Sequence, residues 1–157
     1  MKDLLRKKIN RHATGASPFD FNLPDTSGVE HRLSGYYGKI ILIDIWSNNC
    51  TGCLEFSRKL KNEILPNIKV PENLVILSIN INRDLEKWKK AIPIYSSSEY
   101  INLNTGGVGI QHPLINHYGL EGVPYIILID AKGRVITTSV YDAQLLSGLI
   151  NDELTKI

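Results

Sequence analysis

The chain's two cysteines fall in a single tetrad, Cys50-Thr51-Gly52-Cys53, directly after the apolar run Ile40-Ile41-Leu42-Ile43-Asp44-Ile45-Trp46. The run reads as a buried strand and the tetrad as the opening of a helix. A helix N-terminus presents unpaired N–H groups and the positive end of its dipole, and both favour a thiolate over a thiol. The two-residue spacer keeps the second sulfur within reach of the first, so a mixed disulfide formed at one is resolved by the other. The chemistry that suits this arrangement is thiol–disulfide exchange.

Two blander uses compete. A zinc site needs four ligands, and the second pair would have to come from His112 and His117, far downstream and with four residues between them. A structural crosslink is the other, but closing so short a loop removes little entropy from the unfolded chain. Asp44 is the acidic residue to set beside the cysteines. Flanked by Ile43, Ile45 and Trp46, it is either a solvated strand-end carboxylate or a buried one that gains protons and exchanges them with a thiol.

The elements that must hold these residues follow from pattern. A length of 157 residues suits one domain with a sizeable core. Pro18 to Asp25 alternates as an edge strand, Thr26-Ser27-Gly28 turns, and Val29 to Leu33 alternates again, which makes a hairpin. Lys39 to Trp46 is a central strand, apolar on both faces. Thr51 to about Leu65 is helical, with Cys53, Phe56, Leu60 and Ile64 on one stripe, so Cys53 faces the core and Cys50 the exposed mouth. Leu74 to Ile81 is a second buried strand. Arg83 to Ile92 is a helix with Leu85, Trp88 and Ile92 along one side, and Pro93 to Gly109 reads as loop. Pro113 to Tyr118 is a short helix. Tyr125 to Asp130 and Arg134 to Val140 pair across a turn at Ala131-Lys132-Gly133. Asp142 caps a final helix bearing Leu145, Leu146, Leu149, Ile150 and Leu154. The result is an α/β fold with a mixed central sheet and helices on both faces.

Net charge is +2, from 18 basic and 16 acidic residues, which argues against a nucleic-acid partner. No apolar run approaches a membrane span. Residues 1–16 read as an N-terminal extension or linker, where Leu4, Leu5, Lys8 and Ile9 suit a short amphipathic helix, and 17–157 as the domain. The basic start lacks an apolar segment and is no secretory signal. Either the protein is cytosolic, or a signal or anchor lies outside this sequence.

Three separated features converge: the Cys-x-x-Cys after the first central strand, Asp44 six residues before Cys50, and Gly122-Val123-Pro124 leading into the third central strand. Together with Phe19-Asp20-Phe21-Asn22-Leu23-Pro24-Asp25 and Leu128-Ile129-Asp130-Ala131-Lys132-Gly133, they resemble the TlpA/ResA-like branch of the thioredoxin superfamily. The resemblance implies a thioredoxin-like fold with an N-terminal β-hairpin extension and an activity as thiol–disulfide oxidoreductase. It implies that Cys50 attacks, that Cys53 resolves, and that Asp44 lies beneath Cys53 and handles its proton. Pro124 is implied to be a cis-proline beside the cysteines, with Val123 and Trp46 helping to shape a client groove. It implies protein disulfide or dithiol clients, an upstream thiol–disulfide electron donor or acceptor, a monomer, no cofactor beyond the redox-active disulfide, and a periplasmic or otherwise extracytoplasmic location.

The chain departs from that branch at Asn49, where an aromatic residue is usual, and at Gly52, where proline is usual. Thiolate pKa and redox direction are therefore not carried over. Peroxiredoxins share the fold, and Ser47 meets one of their requirements, but Ile43 stands where their motif has proline. A non-catalytic binding module using the Val123-Pro124 groove is the third class, and the intact cysteine pair argues against it.

Overall fold

The computed structural model describes residues 14–157, so the helix expected around Leu4–Ile9 lies outside the described residues. The elements are β1 (Asn22–Pro24), β2 (Glu30–Arg32), β3 (Ile40–Trp46), α1 (Thr51–Lys59), β4 (Leu74–Asn80), α2 (Leu85–Tyr95), β5 (Ile101–Asn104), α3 (Pro113–Tyr118), β6 (Tyr125–Ile129), β7 (Val135–Thr138) and α4 (Ala143–Leu154). A wider, π-helical turn over Leu60–Ile64 extends α1.

β1 and β2 form the expected hairpin, and the other five strands form one sheet in the order β5-β4-β3-β6-β7. β3 runs parallel to β4 and antiparallel to β6, and all seven of its residues are buried. That is why its sequence is apolar without alternation. Ile41, Ile43 and Ile45 point to the face covered by α3 and the hairpin. Ile40 and Leu42 point to the other, where Phe56, Leu60 and Ile64 from the α1 segment and Leu146, Ile150 and Leu154 from α4 cover them. A smaller cluster of Trp46, Cys53, Trp88, Ala91 and Ile92 closes the C-terminal end of β3 under α1 and α2.

The hairpin is fastened by His31, whose Nε2 lies 2.8 Å from Asp25 Oδ2 and whose Nδ1 lies 2.6 Å from the Tyr36 hydroxyl. Asp25 also bridges to Leu103 of β5, which shields that edge of the sheet. Ahead of Ser17, the Gly15 N–H donates to the Val135 carbonyl and the Val135 N–H to that of Ala16.

The segment from Pro93 to Gly109 differs from its reading as loop. α2 runs on through Pro93 to Tyr95, and Ile101–Asn104 is a fifth sheet strand, paired parallel to β4. Pro93 is tolerated because it sits in the last turn and forfeits one helical bond, while Ser96 N–H closes the helix on the Ile92 carbonyl at 2.8 Å. β5 is short and asparagine-rich, a composition that reads as loop. Leu85, read along one side with Trp88 and Ile92, and Leu145 of the last helix are 41% and 54% exposed; both stand in the first turn of their helices.

Candidate active site at the Cys50–Cys53 tetrad

Cys50 is the N-cap of α1, in extended conformation, and Cys53 lies one turn inside. The two are joined as a disulfide with their Cα atoms 5.2 Å apart. The Cys53 N–H donates to Cys50 Sγ at 3.1 Å, so one of the helix's free N–H groups already faces the sulfur that must become a thiolate. Cys50 is half-buried, whereas Cys53 is 2% exposed and packs on Trp46 and Trp88. This is the asymmetry that the helical stripe predicts.

The chain enters the helix through Asn49, which adopts a left-handed φ of 59°, a conformation that asparagine tolerates better than most side chains. Its neighbour Asn48 is pinned on both sides. Asn48 Nδ2 donates to the Lys87 carbonyl at 2.9 Å, and Asn48 Oδ1 accepts from Asn80 Nδ2 at 3.0 Å. Asn80 in turn accepts from Asn104 Nδ2 at 3.0 Å. A ladder of amides thus ties the C-terminal ends of β4 and β5 to the loop that delivers Cys50.

Opposite the cysteines, the Val123–Pro124 bond is cis, as the resemblance implies. The Val123 carbonyl oxygen lies 3.7 Å from Cys50 Sγ. Gly52 packs against the proline ring: a Cβ built there would sit 3.2 Å from Pro124 Cδ. Glycine at this spacer position lets helix and proline approach. Val123 is also one wall of an open groove of about 390 Å³ shared with Ile81, Ile110, Ile115 and Leu120. The Tyr141 hydroxyl donates to the Pro124 carbonyl at 2.8 Å.

Asp44 is 3% exposed in mid-β3, and its Oδ1 has no hydrogen-bond partner. Burial pushes its carboxyl from 3.8 up to about 7. It lies on the same face of β3 as Trp46, the side chain that packs on Cys53. The nearby Tyr100 hydroxyl is likewise without a partner, and burial, with the Asp44 charge second, pushes it up to about 12.

Trp46 is the correction among the expected site residues. At 1% exposed it lines no client surface; its Nε1 donates to Ser78 Oγ at 2.8 Å and its ring stacks on Tyr95, so it supports the tetrad from below. The structure brings Cys50, Cys53, Val123 and Pro124 together, and Asp44 is buried on the face of β3 that Trp46 shares. Sequence reasoning missed the amide ladder and Tyr141. The ladder had a faint signal, asparagines at the last positions of two strands; Tyr141 had none.

A family model described as thioredoxin-like matches residues 38–135. The thiol-disulfide oxidoreductase ResA of Geobacillus thermodenitrificans is 30% identical over 123 residues, covering 78% of this chain and 67% of that protein. Among solved structures, the C-terminal domain of a Bacteroides thetaiotaomicron protein superposes with a TM-score of 0.80 at 20% identity, covering 94% of this chain and 99% of that one. The thioredoxin domain of a Bacteroides vulgatus thiol-disulfide oxidoreductase gives 0.73 at 22% identity, over 92% and 96% of the two chains.

Proposed function

The chain belongs to the thioredoxin-like family and is a thiol–disulfide oxidoreductase, and from that premise we propose that it donates electrons to the disulfides of protein clients outside the cytoplasm. The observation that carries the reading is the placement of Cys50 Sγ, against a helix N–H on one side and the Val123 carbonyl on the other. An extended client segment pairing with the Val123 backbone would bring its own sulfur to Cys50.

The exchange balances in two steps. The Cys50 thiolate attacks a client disulfide, an Sγ–S bond forms, and one client thiolate leaves with the electron pair of the broken bond. Cys53 then gives its proton to the Asp44 carboxylate and attacks Cys50 Sγ, which releases the second client thiolate and leaves the Cys50–Cys53 disulfide. Each turnover oxidises the pair, and residues 1–157 hold no other cysteine, so a thiol donor beyond them must reduce it again; we assign that role to an upstream thiol–disulfide protein.

The direction follows from what surrounds Cys50. Neither group that touches its sulfur carries a positive charge, and the buried Asp44, once ionised, disfavours a thiolate nearby. A reduced form that is weakly stabilised makes the pair a reductant, the opposite of an oxidant such as DsbA. We place the protein as a monomer, in the compartment where client disulfides form spontaneously and a reductant has work to do.

The test is to trap a client. Cys53→Ser lacks the resolving thiol, so its Cys50 mixed disulfide has no internal exit and accumulates on a non-reducing gel. Cys50→Ser, exposed to the same disulfide-bonded protein, forms no adduct. Absence of adducts with both variants, together with failure of the wild type to reduce insulin, would sink the reading.

A further inference from the structure

The two halves of the site come from elements far apart in sequence: α1 carries the cysteines, and the Val123–Pro124 segment leads into β6. Something must set the gap between them, because Val123 aligns a client for Cys50 only at the right distance. One residue grips both halves. Tyr141 stands between β7 and Asp142, the N-cap of α4. Its hydroxyl donates to the Pro124 carbonyl at 2.8 Å. Its ring meets Phe56 of α1 edge-on, with centroids 5.8 Å apart and planes at 89°. Its own carbonyl accepts from Lys59 Nζ of α1 at 3.0 Å.

These contacts have a direction. Phe56 lies one turn beyond Cys53 on the same buried stripe, so the tyrosine ring rests on the wall of the helix that holds the resolving thiol. The hydroxyl grips the peptide unit immediately after Val123–Pro124. Burial, followed among the raising causes by the Asp44 charge, holds the Tyr141 hydroxyl above its ordinary pKa, so it remains a protonated donor across the working range of a thiolate enzyme.

We propose that Tyr141 is a positioning residue for the exchange reaction, its hydroxyl holding the Val123–Pro124 backbone at the distance from Cys50 that aligns an extended client segment. This deepens the reading of the protein as a reductant of protein disulfides and rests on it. Tyr141 touches neither sulfur. Its effect therefore falls on substrates that use the Val123 backbone and spares those too small to reach it.

Tyr141→Phe tests this, because it removes the donor and keeps the ring on Phe56. The reduced full-length chain is mixed in stopped flow with two probes. One is an extended peptide whose cysteine carries thionitrobenzoate as a mixed disulfide, and the other is the symmetrical small disulfide of thionitrobenzoate. In both, the Cys50 thiolate forms a new disulfide and thionitrobenzoate leaves with the electron pair, giving the absorbance. The peptide rate constant should fall about fivefold, the worth of one ordinary hydrogen bond, while the small disulfide changes by less than about twofold. Lys59→Met, which releases the Tyr141 carbonyl from α1, should shift the ratio of the two rates in the same direction by less, and supplies the answer if the first variant folds poorly. Equal losses with both probes, or a lower melting temperature at an unchanged ratio, would make Tyr141 merely structural and overturn the proposal. Failure of the underlying reading looks different: the wild type would then react with both probes no faster than free cysteine.

Discussion

Asp44 combines full burial with an unpartnered oxygen, and burial lifts its carboxyl from 3.8 to about 7. Its protonated form is therefore favoured by the folded state. Below about pH 4 the carboxyl is protonated whether the chain is folded or not, and Asp44 costs nothing. Between about pH 4 and 7 the unfolded chain releases this proton before the folded one does, so stability falls as pH rises. Above about pH 7 the loss is complete, at about 4 kcal/mol for a shift of this size. Asp44→Asn removes the ionisation, so the variant should match the wild type near pH 4 and exceed it near pH 8 in urea unfolding. Identical pH profiles would remove Asp44 as the source. In the proposed exchange the same variant should also slow release from the Cys50 mixed disulfide, because Cys53 loses its proton acceptor. Cys50, Cys53 and Asp44 were legible in sequence because the strand-to-helix junction that organises them is local. Tyr141 was not: its partners Pro124 and Lys59 lie 17 and 82 residues away, and no local pattern carries that proximity.

The strand ends of β4 and β5 explain how an irregular loop delivers Cys50 in one conformation. Asn104 is fully buried. Its Nδ2 donates to Asn80 Oδ1 and to the Asn82 carbonyl, both at 3.0 Å, and its Oδ1 accepts from the Gly107 N–H at 3.0 Å. Truncating it leaves that N–H and that carbonyl without these partners inside a packed region. Asn104→Ala should therefore cost about 1–3 kcal/mol in denaturant unfolding. It should also loosen Asn80 and, through it, Asn48, so brief iodoacetamide labelling of Cys50 in the reduced protein should become faster, with Cys53 still protected. A loss of less than about 0.5 kcal/mol would mean that water replaces the ladder at no cost. β5 itself escaped the sequence because its polar residues serve this ladder: alternation is present in Ile101-Asn102-Leu103-Asn104, but over four residues in a stretch rich in serine, asparagine and glycine it does not stand out. β3, β4 and β6 did stand out, since strands buried on both faces are written as continuous apolar runs.

At the scale of the whole molecule, the redox state of two sulfurs is linked to the stability of the fold. Reducing the pair in the folded protein and in the unfolded chain are two legs of one thermodynamic cycle, so whichever form the fold favours also fixes the potential relative to an unconstrained pair. Here the fold gives a Cys50 thiolate one helix N–H and no cation among its hydrogen-bond partners, and it buries Cys53 in a cluster with Trp46 and Trp88. The single N–H stabilises a thiolate only weakly, burial disfavours a charged one, and neither effect acts on the uncharged disulfide. The oxidised protein should accordingly unfold at a higher urea concentration than the reduced protein at neutral pH. Trp46, packed on Cys53 at the centre of the sheet, serves as the fluorescent reporter for both forms. The matching potential should lie nearer about −270 mV, as in thioredoxin, than about −120 mV, as in DsbA. Because the cycle closes, the two measurements check each other. A reduced form that outlasts the oxidised one, with a potential toward the DsbA end, would reverse the proposed electron flow and make the protein an oxidant of client thiols.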